Sequence, residues 1–317
     1  MFAAVITSPR QAALQQVPMP QPAAGEVLLK LEGSGVCASS LPLWEGRSWF
    51  QYPQPPGAPG HEGWGRVVAL GAGVDAVAVG DRVAALSYRA HAEYDLAQAS
   101  AVVPLPPSLT ASVLPGEPLG CAMNIFRRSR VRAGQKVAVV GIGFLGALLT
   151  RLAAHSGAEV IAISRRPFAL ELARAAGAAH GLALADPAAT AEAVRRITGE
   201  PLCEVVIEAT GLQGPLDLAS EITGERGRLV IAGYHQDGPR QVDMQKWNWR
   251  GIDVINAHER NPRQYVQGIR EAIGLIGAGV LDPSAWITHR LPLDRLGEAL
   301  ELTRLRPEGF LKAVVIS

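Results

Sequence analysis

Three side chains in the first part of the chain are of types that bind zinc. Cys37 stands in the segment GVCASS, and His61 and Glu62 stand side by side in PGHEGWGRV. A thiolate, an imidazole and a carboxylate are all zinc ligands, and three protein ligands with one open position are typical of a catalytic zinc. Because Cys37 and His61 are far apart in the sequence, spacing alone leaves an alternative, a small buried thiol and an unrelated loop histidine.

A second segment, VVGIGFLG, has the composition of a dinucleotide-binding turn. It carries Gly141, Gly143 and Gly146 in the pattern G-x-G-x-x-G, with Phe144 and Leu145 between the last two. The apolar run before it predicts a strand and the run after it predicts a helix, which is the context this motif requires. The glycines allow a tight turn, close approach of the pyrophosphate and close helix–strand packing. We expect the phosphates at the positive N-terminus of the helix.

The end of the next predicted strand indicates which dinucleotide is bound. An NAD site usually has an acidic residue there, which binds the ribose hydroxyls. This chain has Ser164, Arg165 and Arg166 instead. A hydroxyl and two guanidinium groups bind a 2′-phosphate, which a carboxylate would repel. The segment therefore favours NADP(H) over NAD(H); the alternative is a solvated arginine pair in an enzyme that uses NAD.

Two regions with different sequence patterns must position these residues. Residues 1 to about 110 contain short β-branched runs bounded by glycine and proline, which predict a β-rich region. From about 130 to 257, apolar strands alternate with helices, which predicts a doubly wound α/β domain. Two further helices and a strand are predicted after residue 258. The chain is thus expected to be of the α/β class.

Composition excludes several functions. The 317-residue chain is 48% hydrophobic and 19% charged, which is enough apolar material for a full core. A net charge of +1 without a long run of one sign gives no electrostatic basis for binding nucleic acid or an anionic membrane. The sequence shows no signal-peptide or transmembrane pattern. Three widely spaced cysteines argue against a disulfide framework. We expect a cytoplasmic protein that acts on a small molecule.

The segments GVCASS, PGHEGWGRV, VGDRV, EPLGCAMN and GQKVAVVGIGFLG together resemble the zinc-dependent medium-chain alcohol and polyol dehydrogenases. The resemblance covers nearly the whole chain. It implies a GroES-like catalytic domain at residues 1–122, a Rossmann domain at 123–258 and a return to the catalytic domain at 259–317. It also implies hydride transfer between an alcohol and C4 of a nicotinamide, assisted by zinc. Since family members often form dimers or tetramers, we expect a homo-oligomer.

The resemblance also assigns roles to residues. Cys37 and His61 match the first two zinc ligands of the family, and Glu62 matches the adjacent glutamate that can bind or release the metal. Glu117, in GEPLG, resembles the third ligand as it occurs in the polyol and threonine dehydrogenase branches. Cys121, four residues later, is the alternative third ligand. The segment SRRP resembles the phosphate-binding segment of bacterial NADP-dependent secondary alcohol dehydrogenases.

The chain departs from the family pattern beside the metal segment. Family members usually read C-x-S-D-x-H, and this chain keeps the hydroxyl of Ser39, which is expected to take the alcohol proton. Ser40 and Pro42 replace the aspartate and the histidine, so the resemblance gives no proton route beyond Ser39. Residues 84–100 lack the cysteines of the structural zinc lobe, and we therefore expect at most one zinc per chain.

Taken together, the sequence predicts a zinc-dependent oxidoreductase that transfers a hydride between NADP(H) and a secondary alcohol, a polyol or a sugar-type hydroxyl. Two alternatives are a zinc-free quinone or enoyl reductase on the same fold and a non-catalytic NADPH-binding protein. The first would not need Cys37, His61 and Glu62 together. The second is compatible with the changes at Ser40 and Pro42.

Overall fold

The computed structural model describes residues 1–109 and 112–317. In chain order the strands are β1 (Phe2–Ser8), β2 (Gln11–Gln16), β3 (Glu26–Gly35), β4 (Glu62–Leu70), β5 (Arg82–Ala85), β6 (Tyr94–Gln98), β7 (Val102–Pro104), β8 (Lys136–Val140), β9 (Glu159–Ser164), β10 (His180–Ala183), β11 (Cys203–Glu208), β12 (Thr223–Ile231), β13 (Asp253–Asn256), β14 (His289–Pro292) and β15 (Ala313–Ile316). The α-helices are α1 (Leu41–Trp44), α2 (Gly116–Ser129), α3 (Phe144–His155), α4 (Pro167–Ala175), α5 (Pro187–Thr198), α6 (Gln213–Ile222), α7 (Met244–Arg250), α8 (Pro262–Gly277) and α9 (Leu296–Leu305).

Contacts divide the chain into two compact units. The first comprises Met1–Gly120 together with Asn261–Ser317, and the second comprises Cys121–Arg260. The C-terminal segment therefore folds with the N-terminal segment rather than with the residues that immediately precede it.

The first unit is built on a mostly antiparallel sheet with the order β14-β15-β3-β4-β5-β7, and β6 also pairs with β3. Strand β3 is central and largely buried because leucine, valine and small residues occupy most of its positions. Its end lies between β4 and β15: Gly35 is opposite Glu62 on one side and Val314 on the other. The last strand of the chain is thereby placed beside the segments that carry the candidate metal ligands.

The second unit contains a parallel sheet with the order β10-β9-β8-β11-β12-β13. The central strands β8 and β11 are almost completely buried, as near-continuous Val/Ile/Ala runs require when helices cover both faces of a sheet. Strand β8 is the first strand of this sheet in chain order, and the order proceeds from it to β9 and β10 on one side and to β11, β12 and β13 on the other. The predicted doubly wound α/β architecture is confirmed.

Local signals explain where several helices begin. Asn261 caps α8 through a hydrogen bond from the backbone N–H of Arg263, and Pro262 occupies the first turn. Sequence patterns do not predict α7, which has only seven residues and begins where Asp243 accepts a hydrogen bond from the Lys246 N–H. Within the described residues, no helix is both long and apolar enough to cross a membrane.

Candidate functional site

The pairing of β3 with β4 brings the first zinc-type side chains together. Cys37 lies two residues beyond the end of β3, and His61 lies one residue before the start of β4. Because the two strands are antiparallel, the end of one is next to the beginning of the other. The intervening segment leaves the sheet and returns to it, so the long sequence separation of Cys37 and His61 disappears in the fold.

Cys37, His61 and Glu62 form a close group in which one ligand atom of each lies within 4.8 Å of the others. Glu62 is buried, whereas Cys37 and His61 are half-buried. Ser39, in the short 3₁₀ turn after Cys37, donates its hydroxyl hydrogen to Cys37 Sγ at 3.1 Å. The group thus combines a thiol, an imidazole, a carboxylate and an adjacent hydroxyl.

The ring of His61 is oriented by its own backbone neighbourhood. Nδ1 lies 2.8 Å from the carbonyl oxygen of Pro59. A carbonyl oxygen can only accept, so Nδ1 carries a hydrogen and Nε2 is the nitrogen available to a metal. Burial by itself lowers the pKa of His61, but the hydrogen bond with Cys37 and the charges of Cys37, Glu117 and Glu62 raise it to about 10. The surroundings of Nε2 therefore favour a positive charge, which a metal cation would supply in place of a proton.

The carboxylate of Glu62 is held by one group, the ammonium of Lys312. Oε1 accepts a 2.7 Å hydrogen bond from Lys312 Nζ. Oε2 lies 2.6 Å from the same nitrogen, yet among the described residues this buried atom has no partner with hydrogen-bond geometry. A Cβ atom on Gly35 would lie 1.8 Å from Oε2, so only glycine at that position leaves room for the carboxylate.

Lys312 was missed by the sequence analysis. Its side chain is 7% exposed, and its ammonium also donates to the carbonyl oxygen of Val36 at 3.0 Å. It immediately precedes β15, and the sequence signal would have been a single charge at the start of the apolar run AVVI. A single lysine at that position does not indicate that its partner is Glu62, because 250 residues separate Lys312 from Glu62.

Glu117 and Cys121 lie on consecutive turns at the start of α2, which begins at Gly116. Glu117 is not a member of the close group, but its charge contributes to the raised pKa of His61. The negative carboxylate of Glu117 therefore acts on the same site as Cys37 and Glu62.

The residues present fit a zinc ion. The donor set is one that zinc prefers, His61 presents the required nitrogen, and a buried carboxylate oxygen of Glu62 has no hydrogen bond within the described residues. The ammonium of Lys312 lies 2.6 Å from that oxygen and offsets its charge, and the lone pairs that accept no hydrogen bond leave the oxygen able to face a metal cation as well.

The glycine turn between β8 and α3 has the shape that a pyrophosphate needs. Gly141 has φ +102°, a region that favours glycine, and a Cβ on Gly146 would lie 2.1 Å from the Gly141 carbonyl oxygen. A Cβ on Gly143 would meet nothing within 4 Å, so the backbone is open there. Among the described residues no side chain caps the start of α3, and the positive end of the helix dipole there favours an anion. Phe144 is buried and Leu145 half-buried, so the side chain of Phe144 belongs to the core.

The second strand of the parallel sheet in chain order, β9, ends with Ser164 and is followed by Arg165 and Arg166. Ser164 ends β9 and its Oγ accepts the Arg166 N–H at 3.2 Å. Arg165 is exposed. Arg166 is half-buried, and its Nη2 donates to the carbonyl oxygen of Ile142 in the glycine turn at 3.1 Å. Both positive charges therefore lie at the carboxyl ends of the strands, where doubly wound sheets bind their ligands.

The aromatic residues after the metal segment separate into two environments. Trp44 is buried, and its Nε1 donates to Glu301 at 2.7 Å, so it belongs to the core of the first unit. Trp49 is exposed, stands within 5.9 Å of Phe50 and packs beneath Arg47. Trp44 is therefore withdrawn from any substrate, whereas Trp49 presents an exposed ring.

Comparisons with known proteins agree with this geometry. Residues 23–116 match the family model described as Alcohol dehydrogenase GroES-like domain, and residues 145–273 match the one described as Zinc-binding dehydrogenase. The chain belongs to the medium-chain dehydrogenase family. It is therefore an oxidoreductase, and the predicted GroES-like and Rossmann architecture is confirmed.

Proteins described as dehydrogenases align along almost the full length of the chain. It is 28% identical to 2-dehydro-3-deoxy-L-galactonate 5-dehydrogenase of Pseudoalteromonas atlantica, with 93% of this chain and 92% of the relative covered. It is also 28% identical to sorbitol dehydrogenase of Gallus gallus, with 93% and 91% covered. A zinc-binding dehydrogenase from Sinorhizobium meliloti, solved with bound NADP, superposes with a TM-score of 0.83 at 25% identity over 100% of this chain and 99% of that one. These matches support zinc and a nicotinamide dinucleotide as cofactors.

Proposed function

We propose that this medium-chain dehydrogenase binds one zinc ion at Cys37, His61 and Glu117, with Glu62 beside it, and uses NADP(H) to interconvert a secondary alcohol and a ketone. The observation that carries the proposal is the close group of Cys37, His61 and Glu62, with a buried Glu62 oxygen that lacks a hydrogen bond within the described residues. Oxidation removes a hydride and a proton from the alcohol, and the hydride reduces NADP⁺ to NADPH. Zinc supplies a Lewis acid that makes the hydroxyl of the substrate more acidic.

The protein's own residues have three tasks at this site. Cys37 and His61 provide the sulfur and the Nε2 nitrogen, and the Pro59 carbonyl holds the ring of His61 in the tautomer that exposes Nε2. Ser39 donates its hydroxyl hydrogen to Cys37 Sγ, so the lone pairs of its oxygen remain to accept a hydrogen bond from the hydroxyl of the substrate, whose proton is released to water in the oxidation. Glu62, anchored by Lys312, keeps a second carboxylate at the site.

The preference for NADP(H) is supported by the charge at the end of β9. Arg165 and Arg166 add two positive charges where an NAD enzyme would have a carboxylate. The neighbour solved with NADP supports the same cofactor. The hydroxyl of Ser164 accepts the Arg166 N–H and thereby keeps this turn compact.

The substrate class follows from the relatives, whose names refer to sorbitol, galactonate derivatives and threitol. A polyol or sugar-acid hydroxyl is therefore the proposed substrate. No cysteine lies between residues 84 and 100, which supports a single zinc per chain.

A homo-oligomer is also proposed. Strand β13 is the edge of the parallel sheet, and the helix before it, α7, exposes Trp249 and Met244, of which Trp249 is 88% exposed. Large exposed apolar side chains beside a strand edge are features of protein interfaces. Light scattering of the purified protein and of Trp249→Lys would test this, because a dimer that uses this edge should dissociate in the variant.

The function is tested by NADP⁺-linked oxidation of a panel of polyols and sugar acids, followed at 340 nm, with wild-type protein and His61→Ala. We expect turnover of at least one substrate and its loss in His61→Ala. Equal turnover by the variant, or activity only with quinones, would instead support the zinc-free reductase.

A further inference from the structure

The second unit contains a buried polar network that the proposed reaction does not use. It joins Glu208, the last residue of β11, to His235 and Arg240 in the loop between β12 and α7. His235 Nε2 lies 3.0 Å from Glu208 Oε2, and Arg240 Nε donates to His235 Nδ1 at 2.8 Å. The side chain of Glu208 is 0% exposed and those of His235 and Arg240 are 14% and 16% exposed. The three groups are thus largely shielded from water.

The direction of each hydrogen bond in this network is fixed. The Nε–H of Arg240 can only donate, so His235 Nδ1 must accept and its Nε2 must carry the hydrogen that goes to Glu208. A neutral imidazole therefore connects a guanidinium to a carboxylate. An apolar side chain at position 235 would break both bonds and leave the buried Glu208 Oε2 with only the longer hydrogen bond from the Gly211 N–H, at 3.3 Å.

At one end, the network fixes the turn that follows β11. Glu208 Oε1 accepts hydrogen bonds from the backbone N–H groups of Thr210 at 2.6 Å and Gly211 at 3.0 Å. A Cβ on Gly141 would lie 2.3 Å from Thr210 Cγ2. The turn held by Glu208 therefore packs directly against the first glycine of the pyrophosphate-binding segment.

At the other end, the network fixes the loop of residues 232–241. Arg240 Nη2 donates to the carbonyl oxygen of Gly211 at 2.8 Å. A Cβ on Gly211 would lie 2.5 Å from the carbonyl oxygen of Tyr234, so loop and turn are in close contact. The loop contains Tyr234, a residue that is 58% exposed. Its ring stacks on the ring of His258, with the ring centroids 5.6 Å apart.

The position of this loop relates it to one half of a dinucleotide. The order of the sheet reverses at β8, and a dinucleotide crosses the carboxyl ends of the strands at such a point. The proposed 2′-phosphate site follows β9, on one side of β8. The nicotinamide half must then extend over β11 and β12, on the other side of β8. Glu208 is the last residue of β11, and the loop 232–241 follows β12.

We infer that His235 is a positioning residue for the nicotinamide half of the cofactor: by linking Arg240 to Glu208, it holds the loop 232–241 against the turn after β11 and so shapes the surface that this half contacts. The inference rests on the proposed dinucleotide binding. It assigns His235 no contact with the reacting atoms.

The test compares two ligands by titration calorimetry, NADPH and adenosine 2′,5′-bisphosphate, which carries the adenosine half alone. The variants are His235→Leu, His235→Gln and a matched control, His180→Leu. His180 also pairs with a carboxylate, that of Glu159 at 2.9 Å, but at the amino ends of the strands in the same unit. We expect His235→Leu to weaken NADPH binding about tenfold or more and to leave the bisphosphate within about twofold of wild type.

The glutamine variant should lie closer to wild type, because its amide offers both an acceptor and a donor. The inference is overturned if His235→Leu binds NADPH normally, if it weakens both ligands equally, or if His180→Leu produces the same selective loss. Should wild type prefer NADH, the same comparison with NADH and ADP tests His235, and only the NADP preference of the proposed function fails.

Discussion

Lys312 Nζ lies 2.7 Å from Glu62 Oε1 and 3.0 Å from the carbonyl oxygen of Val36. Val36 precedes Cys37 and Glu62 follows His61, so one ammonium joins the two segments that carry the candidate metal ligands. Both partners of the ion pair are buried. The last strand of the chain thus has a direct part in holding the metal site together.

Removing one member of this pair should be far more harmful than removing both. Lys312→Met leaves Glu62 charged and buried, and we expect it to lower the free energy of unfolding of the metal-free protein by about 3–5 kcal/mol. Glu62→Gln with Lys312→Met should recover much of that loss. Urea unfolding of the two single variants and the double variant gives the coupling energy. A coupling energy below about 1 kcal/mol would mean that the pair behaves like an exposed one.

The third ligand can be identified by comparing two residues one turn apart in α2. Glu117→Ala should weaken zinc binding at least about tenfold, because its carboxylate acts on His61. Cys121→Ala should leave zinc binding unchanged. Competition with a chromogenic chelator measures both. The reverse result, with zinc lost only in Cys121→Ala, would transfer the role to the cysteine.

The preference for NADP⁺ should depend on Arg165, which is exposed and can be removed without disturbing the glycine turn. Arg165→Ala should raise the dissociation constant for NADP⁺ about 10- to 100-fold, the usual contribution of a hydrogen bond to a charged group. NAD⁺, which lacks the 2′-phosphate, should bind almost as before. If the affinities for the two cofactors fall together, the arginine has no part in discriminating between them.

The buried side chain of His91 should make the free energy of unfolding depend on pH. Its burial, followed by the charges of His61 and Lys312, lowers the pKa of His91 to about 3. The unfolded chain takes up this proton near its ordinary pKa of about 6.5, whereas the folded chain does not until about 3. The contribution of His91 to stability is therefore lost as the pH falls through this window, by about 1.6 kcal/mol between pH 6.5 and 5.

Replacing His91 by glutamine should remove that part of the pH dependence, whatever it does to stability at neutral pH. Urea unfolding at pH 5, 6 and 7 measures the slope for metal-free wild type, His91→Gln and the control His155→Gln, whose side chain is exposed. A slope in His91→Gln as steep as that of wild type would show that other groups cause the acid sensitivity.

Local patterns were enough to predict the parts of this molecule that depend on neighbours in the sequence. The glycine turn and the alternating strands and helices follow from short-range spacing, and Cys37, His61 and Glu62 follow from residue type and the family resemblance. Lys312 was not predictable, because its partner lies in another strand and only the pairing of β15 with β3 brings the two together. The Glu208–His235–Arg240 network was missed for the same reason.

The short helix α7 was missed for a different reason. With seven residues and two tryptophans, it gives too few turns for a helical period to be recognised. Tertiary contacts stabilise it instead: Trp247 Nε1 donates to Ser220 Oγ at 2.5 Å, and Arg250 donates to the carbonyl oxygens of Glu221 and Thr223.

If Cys37 and His61 hold a catalytic zinc, elemental analysis of the purified protein should find it. Wild type, Cys37→Ala and the control Cys203→Ala, which alters a buried thiol of the other unit, would be purified in parallel and reconstituted with zinc. We expect about one zinc per chain in wild type and in the control, and none in Cys37→Ala. Wild type without zinc after reconstitution, or Cys37→Ala with a full complement, would contradict it.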